Sequence, residues 1–326
     1  MRVIEEKSQL ARIAKDGVLT IGNFDGVHLG HQRIIAAARQ IASEKKADLA
    51  VMTFDPHPVA ILYPEKAPGV LMSLPVRKYL IAACGADYLI VLKDSPELLR
   101  LSPQQFVDEF LVETFAPAVV VEGEDFNFGA GRAGSIGTLK ELAVDRGFDV
   151  HVVGPEKVRL STGQSVRVSS TMIRYMLESG HVIDAAAALG RPYRLIGPIK
   201  PGRGVGKSLG FPTLNMEKPN QIIPRLGVYA GTLEVADTQD KICTAHQKLP
   251  AVFSIGYART YGDEHPLLIE AHLLIENAEQ IKGDWMAMDF TAQIRSQLKF
   301  KTEHDLSAQI AKDCEKAKDI LAKGSK

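Results

Sequence analysis

Hydrophobic positions fall into two regimes along the chain. Up to about residue 155, short apolar runs alternate with segments whose apolar residues recur at helical spacing. The runs at 18–22, 49–54, 88–92, 118–122 and 149–153 are rich in Val, Ile, Leu and Ala, which predicts buried parallel strands. Between them, 31–44, 74–83, 103–112 and 136–145 carry an apolar face and read as helices. Ser102 before Pro103 supplies an N-cap followed by a favoured first-turn proline. Strands alternating with helices imply a parallel sheet covered on both faces, with ligands beyond the carboxyl ends of its strands.

Near residue 157 the regime changes. Residues 157–167 read as a hairpin with Thr162-Gly163 at its turn, and 169–177 as a short helix burying Ile173, Met176 and Leu177. A further helical piece, 185–189, is stopped by Gly190-Arg191-Pro192. Beyond Pro192 the runs at 193–199, 228–235, 251–254, 267–275 and 287–294 are separated by Gly, Pro, Asn and Asp clusters, which predicts a small antiparallel barrel. Leu306, Ile310, Cys314, Ala317 and Leu321 form a final helical stripe expected to pack on that barrel. The 326 residues fit two ordinary domains, expected at 1–185 and 186–326.

Composition narrows the function classes. Lys+Arg and Asp+Glu number 39 each, so no basic excess draws the chain to nucleic acid or an anionic membrane. The opening Met-Arg-Val-Ile-Glu-Glu-Lys has no apolar secretion core, and no apolar run approaches transmembrane length, so a cytoplasmic location is expected. Cys84, Cys243 and Cys314 are dispersed and read as reduced thiols rather than a disulfide or metal set.

The candidate chemistry lies in loops that follow strands. Gly22-Asn23-Phe24-Asp25-Gly26-Val27-His28-Leu29-Gly30-His31 joins the first strand to the first helix. Glycines let the backbone approach a ligand, and a helix start offers unpaired N–H groups to an anion. His28 and His31 across Gly30 therefore predict a phosphate site; one histidine alone would favour a plain turn. After the second strand, prolines in Thr53-Phe54-Asp55-Pro56-His57-Pro58 predict an extended loop carrying His57. After the fourth, Glu122 to Gly129 sets Phe126 and Phe128 among Asp125 and other carboxylates, as suits an aromatic ring partner; rings tucked inward are an equal alternative. Ser169-Ser170-Thr171, with Arg174 one turn on, reads as a second anion site at a helix start.

In the second half, Pro201-Gly-Arg-Gly-Val-Gly-Lys-Ser208 is no Walker loop, because Pro201 stands where its first glycine belongs and Gly210 and Pro212 follow at once. It reads as a glycine-rich flap leading to Thr213 and Asn215. Two residues apart on an extended segment, these point to one side and can ligate Mg²⁺ or bond phosphate oxygens. A proline-initiated strand with exposed polar positions is the plainer reading of those residues alone.

Taken together, these stretches resemble the bifunctional riboflavin kinase/FAD synthetase family of bacteria. The first half is similar to its adenylyltransferase domain at 22–31, 53–58, 123–129 and 168–174. The second resembles its flavokinase domain at the flap with Gly210-Phe-Pro-Thr-Leu-Asn215, at Gly227-Val-Tyr229, at Glu270-Ala-His272 and at Arg295…Phe300. The resemblance implies an α/β nucleotidyltransferase-type parallel-sheet domain followed by a small flavokinase-like antiparallel β-barrel with a C-terminal helix. It implies riboflavin, FMN and ATP as small-molecule partners, Mg²⁺ as counter-charge, and two reactions. One moves the γ-phosphoryl group of ATP to riboflavin; the other joins FMN to the α-phosphorus of ATP, giving FAD and pyrophosphate.

Residue by residue, the resemblance implies His28 and His31 in adenylyl-transfer catalysis. It places Gly22, Asn23, Phe24, Asp25, Gly26, Gly30, His57, Ser169, Ser170, Thr171 and Arg174 on nucleotide or phosphate, and Asp125, Phe126 and Phe128 on flavin. In the kinase it implies Gly204, Gly206 and Lys207 on nucleotide, Thr213 and Asn215 on metal, Glu270 as base and Arg295 on flavin. The chain departs from the family pattern at Gly256-Tyr-Ala-Arg259-Thr260, which lacks the usual proline, at Ile281-Lys-Gly283-Asp-Trp285, at Arg295-Ser296-Gln297 and at Leu214. Two other readings stay open here: an adenylyltransferase with a degenerate kinase barrel, and a flavin- or nucleotide-binding protein without turnover.

Overall fold

The computed structural model describes residues 1–6, 9–10, 15–93, 96–202, 204–244, 247–257 and 266–324. Two compact units emerge, Met1–Pro68 with Val76–Lys157, and Gly69–Pro75 with Val158–Lys326.

In the first unit the chain runs β1 (Arg2–Ile4), β2 (Val18–Ile21), α1 (Leu29–Lys45), β3 (Leu49–Phe54), α2 (Pro58–Leu62), α3 (Leu74–Ala83) and β4 (Tyr88–Leu92). It continues with α4 (Pro103–Gln105, running on as a π-helix over Phe106–Phe115), β5 (Val119–Gly123), β6 (Asn127–Phe128), β7 (Gly134–Ser135), α5 (Ile136–Val144) and β8 (Asp149–Val153). Six strands pair in parallel in the order β1-β4-β3-β2-β5-β8. All five expected strands are present, and the short edge strand β1 is an addition. Ile21, Met52, Ile90 and Val120 bury one face of the sheet with Phe106, Leu111 and Leu139.

One local expectation is corrected. The stretch around His57 is not simply extended. Pro58 sits at the first position of α2, where its missing N–H costs nothing, and His57 caps that turn by accepting from the Val59 N–H.

The second unit opens with the hairpin β9 (Lys157–Arg159) and β10 (Ser165–Arg167), then α6 (Ser170–Glu178) and α7 (Val182–Leu189). Its barrel comprises β11 (Tyr193–Lys200), β12 (Leu214–Met216), β13 (Gly227–Ala236), β14 (Leu249–Tyr257), β15 (Leu267–Leu273) and β16 (Trp285–Ser296). The order β11-β12-β15-β14-β13-β16 closes on itself, and every pair is antiparallel. Short helices α8 (Val205–Ser208) and α9 (Gln239–Thr244) lie between strands, and α10 (Glu303–Gly324) ends the chain.

Alternation along the strands sorts the barrel's two faces. Ile269, Ala271, Leu273, Met286, Met288 and Phe290 point inward. Val228, Ala230 and Val252 point outward and are covered by Cys314 and Ala317 of α10. That is the docking the helical stripe predicts. Phe290 centres the interior, 5.2 Å from the rings of both Tyr229 and Phe253. Gly231 allows β13 to approach β16, since a Cβ there would stand 2.1 Å from the Asp289 carbonyl. Replacing the fully buried Phe290 by Ala should cost about 3–5 kcal/mol of stability, read from denaturant unfolding of the full chain.

Candidate active sites

The parallel sheet changes winding direction between β2 and β5. From β2 the chain passes through α1 to β3 on one side, and from β5 through α5 to β8 on the other. Such a switch point is where open parallel sheets bind ligands. The loop from Gly22 to His28 leaves the sheet there, and its backbone is tightly determined. Phe24 (φ +45°) and Val27 (φ +36°) take left-handed conformations that cost non-glycine residues about 1–3 kcal/mol each. Burial of both side chains holds them there, and Gln32 Nε2 donates to the Val27 carbonyl at 2.8 Å.

The result is a fixed pair of histidines. His28, itself buried, caps α1, its Nδ1 accepting from the His31 N–H at 3.3 Å. With Nδ1 engaged as acceptor, Nε2 is the ring's other polar edge. The two imidazoles stack with centroids 3.6 Å apart, and Phe24 meets His31 edge-on at 5.2 Å. Gly30 makes room for this, because a Cβ there would press the His28 ring at 3.2 Å.

The His57 loop is tied to the same turn. The Asn23 side-chain amide lies 2.9 Å from His57 Nε2, and Thr53 Oγ1 donates to the Asn23 carbonyl at 2.9 Å. Beneath both sits Arg77 of α3, which sequence reasoning passed over as a helix residue. It is 3% exposed and donates to the Phe54 carbonyl at 2.9 Å and to Thr53 Oγ1 at 3.3 Å. Burial lowers its pKa, while buried Asp25 and nearby Asp55 favour its charge. Its reach into the loop had no local signal, since its partners lie far away along the chain.

Glu122 was also missed. It stands on β5 at 3% exposure, and its Oε1 accepts from the Ile21 N–H at 2.6 Å. Burial raises its pKa well above the carboxylate range; the Ile21 N–H pulls the other way, and Asp125 adds to the rise.

The aromatic loop is half core. Phe128 is 5% exposed and packs on Phe106, while Phe126 stacks on it at 5.6 Å and is less buried. Gly134 is required there, as a Cβ would stand 2.8 Å from the Phe128 ring.

Ser169, Ser170, Thr171 and Arg174 belong to the second unit. The Ser169 hydroxyl caps α6 by accepting from the Met172 N–H at 3.2 Å, and Ser170 opens the helix. Arg174 Nε donates to the Gly69 carbonyl at 2.7 Å.

On the barrel, register brings several expected residues into one row. Lys200 pairs with Asn215, Asn215 with Glu270, Glu270 with Ser254, Ser254 with Val228, and Val228 with Arg295. Asn215 and Glu270 alternate with inward residues, so both face outward. The flap lies over them. A Cβ on Gly202 would stand 2.2 Å from Asn215 Nδ2, and one on Gly206 would stand 3.3 Å from Thr213 Oγ1. Lys207 sits exposed on α8, a single turn between Gly204 and Gly210, both left-handed. Arg295 is held by α10: Nε and Nη2 donate to Asp313 Oδ2 at 2.9 and 2.7 Å, and the guanidinium lies 5.8 Å from the Phe300 centroid. Gln297 Nε2 donates to the Ile255 carbonyl at 2.8 Å. Arg203 of the flap, with Arg259 and Thr260, lies outside the described residues. Among the described residues, no group of three or more His, Cys, Asp or Glu side chains could hold a metal ion.

Comparison with known proteins gives the class, a two-domain transferase. Residues 10–172 match the family model described as FAD synthetase, and 189–321 match that described as riboflavin kinase. The bifunctional riboflavin kinase/FMN adenylyltransferase of Escherichia coli K12 is 32% identical over 314 residues, 96% of each chain. That of Bacillus subtilis 168 is 36% identical over 305 residues, 92% of this chain and 91% of that one. A crystal structure described as a macrolide-efflux protein from Streptococcus pneumoniae is 26% identical, with a TM-score of 0.82 across 98% of this chain and 99% of that one. No helix among the described residues is long and apolar enough to cross a membrane. The chain belongs to the family of bifunctional riboflavin kinases/FMN adenylyltransferases.

The buried carboxyl of Glu122 has a signature in stability. Its folded-state pKa lies above the unfolded value near 4.5, so the native chain holds the proton more tightly. Wild-type stability should therefore fall as pH rises from 4.5 towards the folded value. E122Q keeps the acceptor without the titration, and its urea midpoint should rise relative to wild type as pH increases from about 5.

Proposed function

We propose that the chain makes FMN from riboflavin and FAD from FMN, consuming ATP in both steps. Residues 1–185 carry adenylyl transfer and residues 186–326 carry the kinase. The observation that supports this best is the presence of two chemically distinct constellations in a family whose relatives are named for both activities: a stacked histidine pair at a helix start, and a carboxylate beside a hydroxyl–amide pair on a barrel.

In adenylyl transfer the FMN phosphate oxygen attacks the α-phosphorus of ATP, and the bond to pyrophosphate breaks. A phosphate monoester, with second pKa about 6, arrives already anionic and needs no base. What it needs is alignment and neutralisation of the departing charge. The first N–H groups of α1 and the His28 Nε2 edge suit the pyrophosphate, with His31 fixed beside them. Gly22, Gly26 and Gly30 permit close approach, and Asn23 holds His57 over the phosphates. Phe126 offers a ring face to the flavin, Phe128 buttresses it from the core, and Asp125 supplies a polar contact.

The kinase substrate is an alcohol and arrives protonated. Glu270 takes that proton as the ribityl oxygen attacks the γ-phosphorus of ATP, whose bond to the bridging oxygen breaks so that ADP leaves. Gly204, Gly206 and Lys207 cover the nucleotide, and Arg295 borders the flavin. Thr213 and Asn215 fit Mg²⁺, a hard ion that keeps few protein oxygens and completes its shell from phosphates and water; bound there, it would neutralise the transferring phosphoryl group. Cys84, Cys243 and Cys314 stand far apart along the chain, which agrees with a reducing, cytoplasmic setting.

Replacing His31 by Ala should reduce FAD formation from FMN by about 100-fold or more and leave FMN formation intact. E270A should reduce FMN formation by a similar factor, about 100-fold, and leave FAD formation from FMN intact. Chromatography of reactions with riboflavin, ATP and Mg²⁺ reads both. Loss of both activities from either change contradicts independent sites, and FAD formed only when FMN is supplied would reduce the enzyme to an adenylyltransferase.

A further inference from the structure

We propose that Glu122 is a positioning residue for adenylyl transfer, its side chain standing in for the backbone acceptor that β2 loses where the sheet opens at the active-site turn. The proposal rests on the adenylyltransferase reading of this unit.

The argument begins with the direction of the backbone donors of β2. The N–H groups of Val18 and Gly22 point to the β3 side, donating to the Asp48 carbonyl at 2.9 Å and the Met52 carbonyl at 3.0 Å. Donors alternate along a strand, so those of Leu19 and Ile21 face β5. Yet β2 and β5 are in register only at Val18–Val119 and Leu19–Val120. On their outer sides both strands run further, β2 with β3 to Ile21–Met52, and β5 with β8 to Gly123–Val153. The two central strands therefore part company after one pair of rungs, just where the chain reverses its winding direction.

Parting leaves the Ile21 N–H facing a gap in a nearly sealed place, with Ile21 itself 4% exposed. An orphaned buried donor of this kind carries its full desolvation cost, which would pull the strands together or shift the loop. Glu122, on the facing strand, spans the gap with its carboxyl group and accepts at 2.6 Å. A backbone carbonyl could do this only by closing the crevice, and an aliphatic side chain could not do it at all.

The position matters because Ile21 is the last residue of β2. The next residue is Gly22, the first of the turn that delivers His28 and His31. Anchoring Ile21 sets where that turn begins. The direction of the Glu122 shift agrees with this use, since a neutral acid can hold the N–H without setting a negative charge beside phosphates. Asp125, whose charge raises Glu122 further, lies in the loop that follows β5.

The test compares side chains by reach and charge. Steady-state kinetics of FAD formation from FMN, with riboflavin kinase activity of the same chain as internal control, are measured for wild type, E122Q, E122D and E122L. E122Q keeps an acceptor at the same reach and should retain kcat within about twofold. E122L should lose about 10- to 100-fold in kcat, with KM for FMN changed less than about threefold, because a displaced turn misaligns the reacting groups rather than abolishing binding. Kinase activity should be unchanged in both. Glu122→Asp retracts the acceptor by one methylene yet keeps the charge, and should fall between them. Wild-type kcat in E122L overturns the proposal, as does E122Q as impaired as E122L. If E122L loses its kinase activity as well, the order of E122Q and E122D decides, and E122D matching or exceeding E122Q overturns it. Wild type failing to make FAD from FMN would instead sink the adenylyltransferase reading itself.

Discussion

Everything in the first unit turns on the imidazole of His28, which does two things at once. Its Nδ1 closes the N-terminus of α1 and its face receives the ring of His31. One acceptor is thereby spent on order, and the remaining edge and the other helix-start N–H groups are left aimed beyond the sheet. The strained carriage of Phe24 and Val27 is what brings the ring there, and their burial is what sustains the strain. Arg77 and Thr53 extend the arrangement to a second loop, so that two loops from different strands behave as one surface.

The barrel reaches a comparable result by another route. The register of paired strands sets Asn215 beside Glu270, and the alternation of side chains turns both away from the apolar interior. A slip of one residue in β12 would send Asn215 inward and Leu214 outward, which the filled interior forbids. Packing inside the barrel thus enforces chemistry outside it. At the opposite end of β11, Arg194 pairs with Asp289 and with Glu234, two almost fully buried carboxylates, tying β11 to β16 and β13.

Much of this could be read from the chain before any coordinates. The apolar runs of the parallel sheet are short and uninterrupted, and the histidines flank a glycine at a helix start, so strand, turn and helix are all locally encoded. What escaped was non-local or ambiguous in period. Arg77 looks like one more cation on a helix until the loops from Asn23 and Phe54 descend on it. Glu122 occupies a strand position where the apolar pattern says nothing about a donor on the neighbouring strand. The prolines around His57 suggested extension, but Pro58 at a first helical position favours the opposite. Phe128 and Phe126 are equivalent by composition and differ only in which one the Phe106 ring covers.

Closure of the barrel has a consequence for how the chain comes into being. The first barrel strand, β11, is flanked by β12 and by β16, the last strand of all. On the ribosome its open edge must therefore wait, exposed, until nearly the whole unit has been made, and only then can α10 cover the outer face. Assembly of the barrel waits for β16 to be made, and a chain cut short before it carries a sheet edge with nothing to pair it.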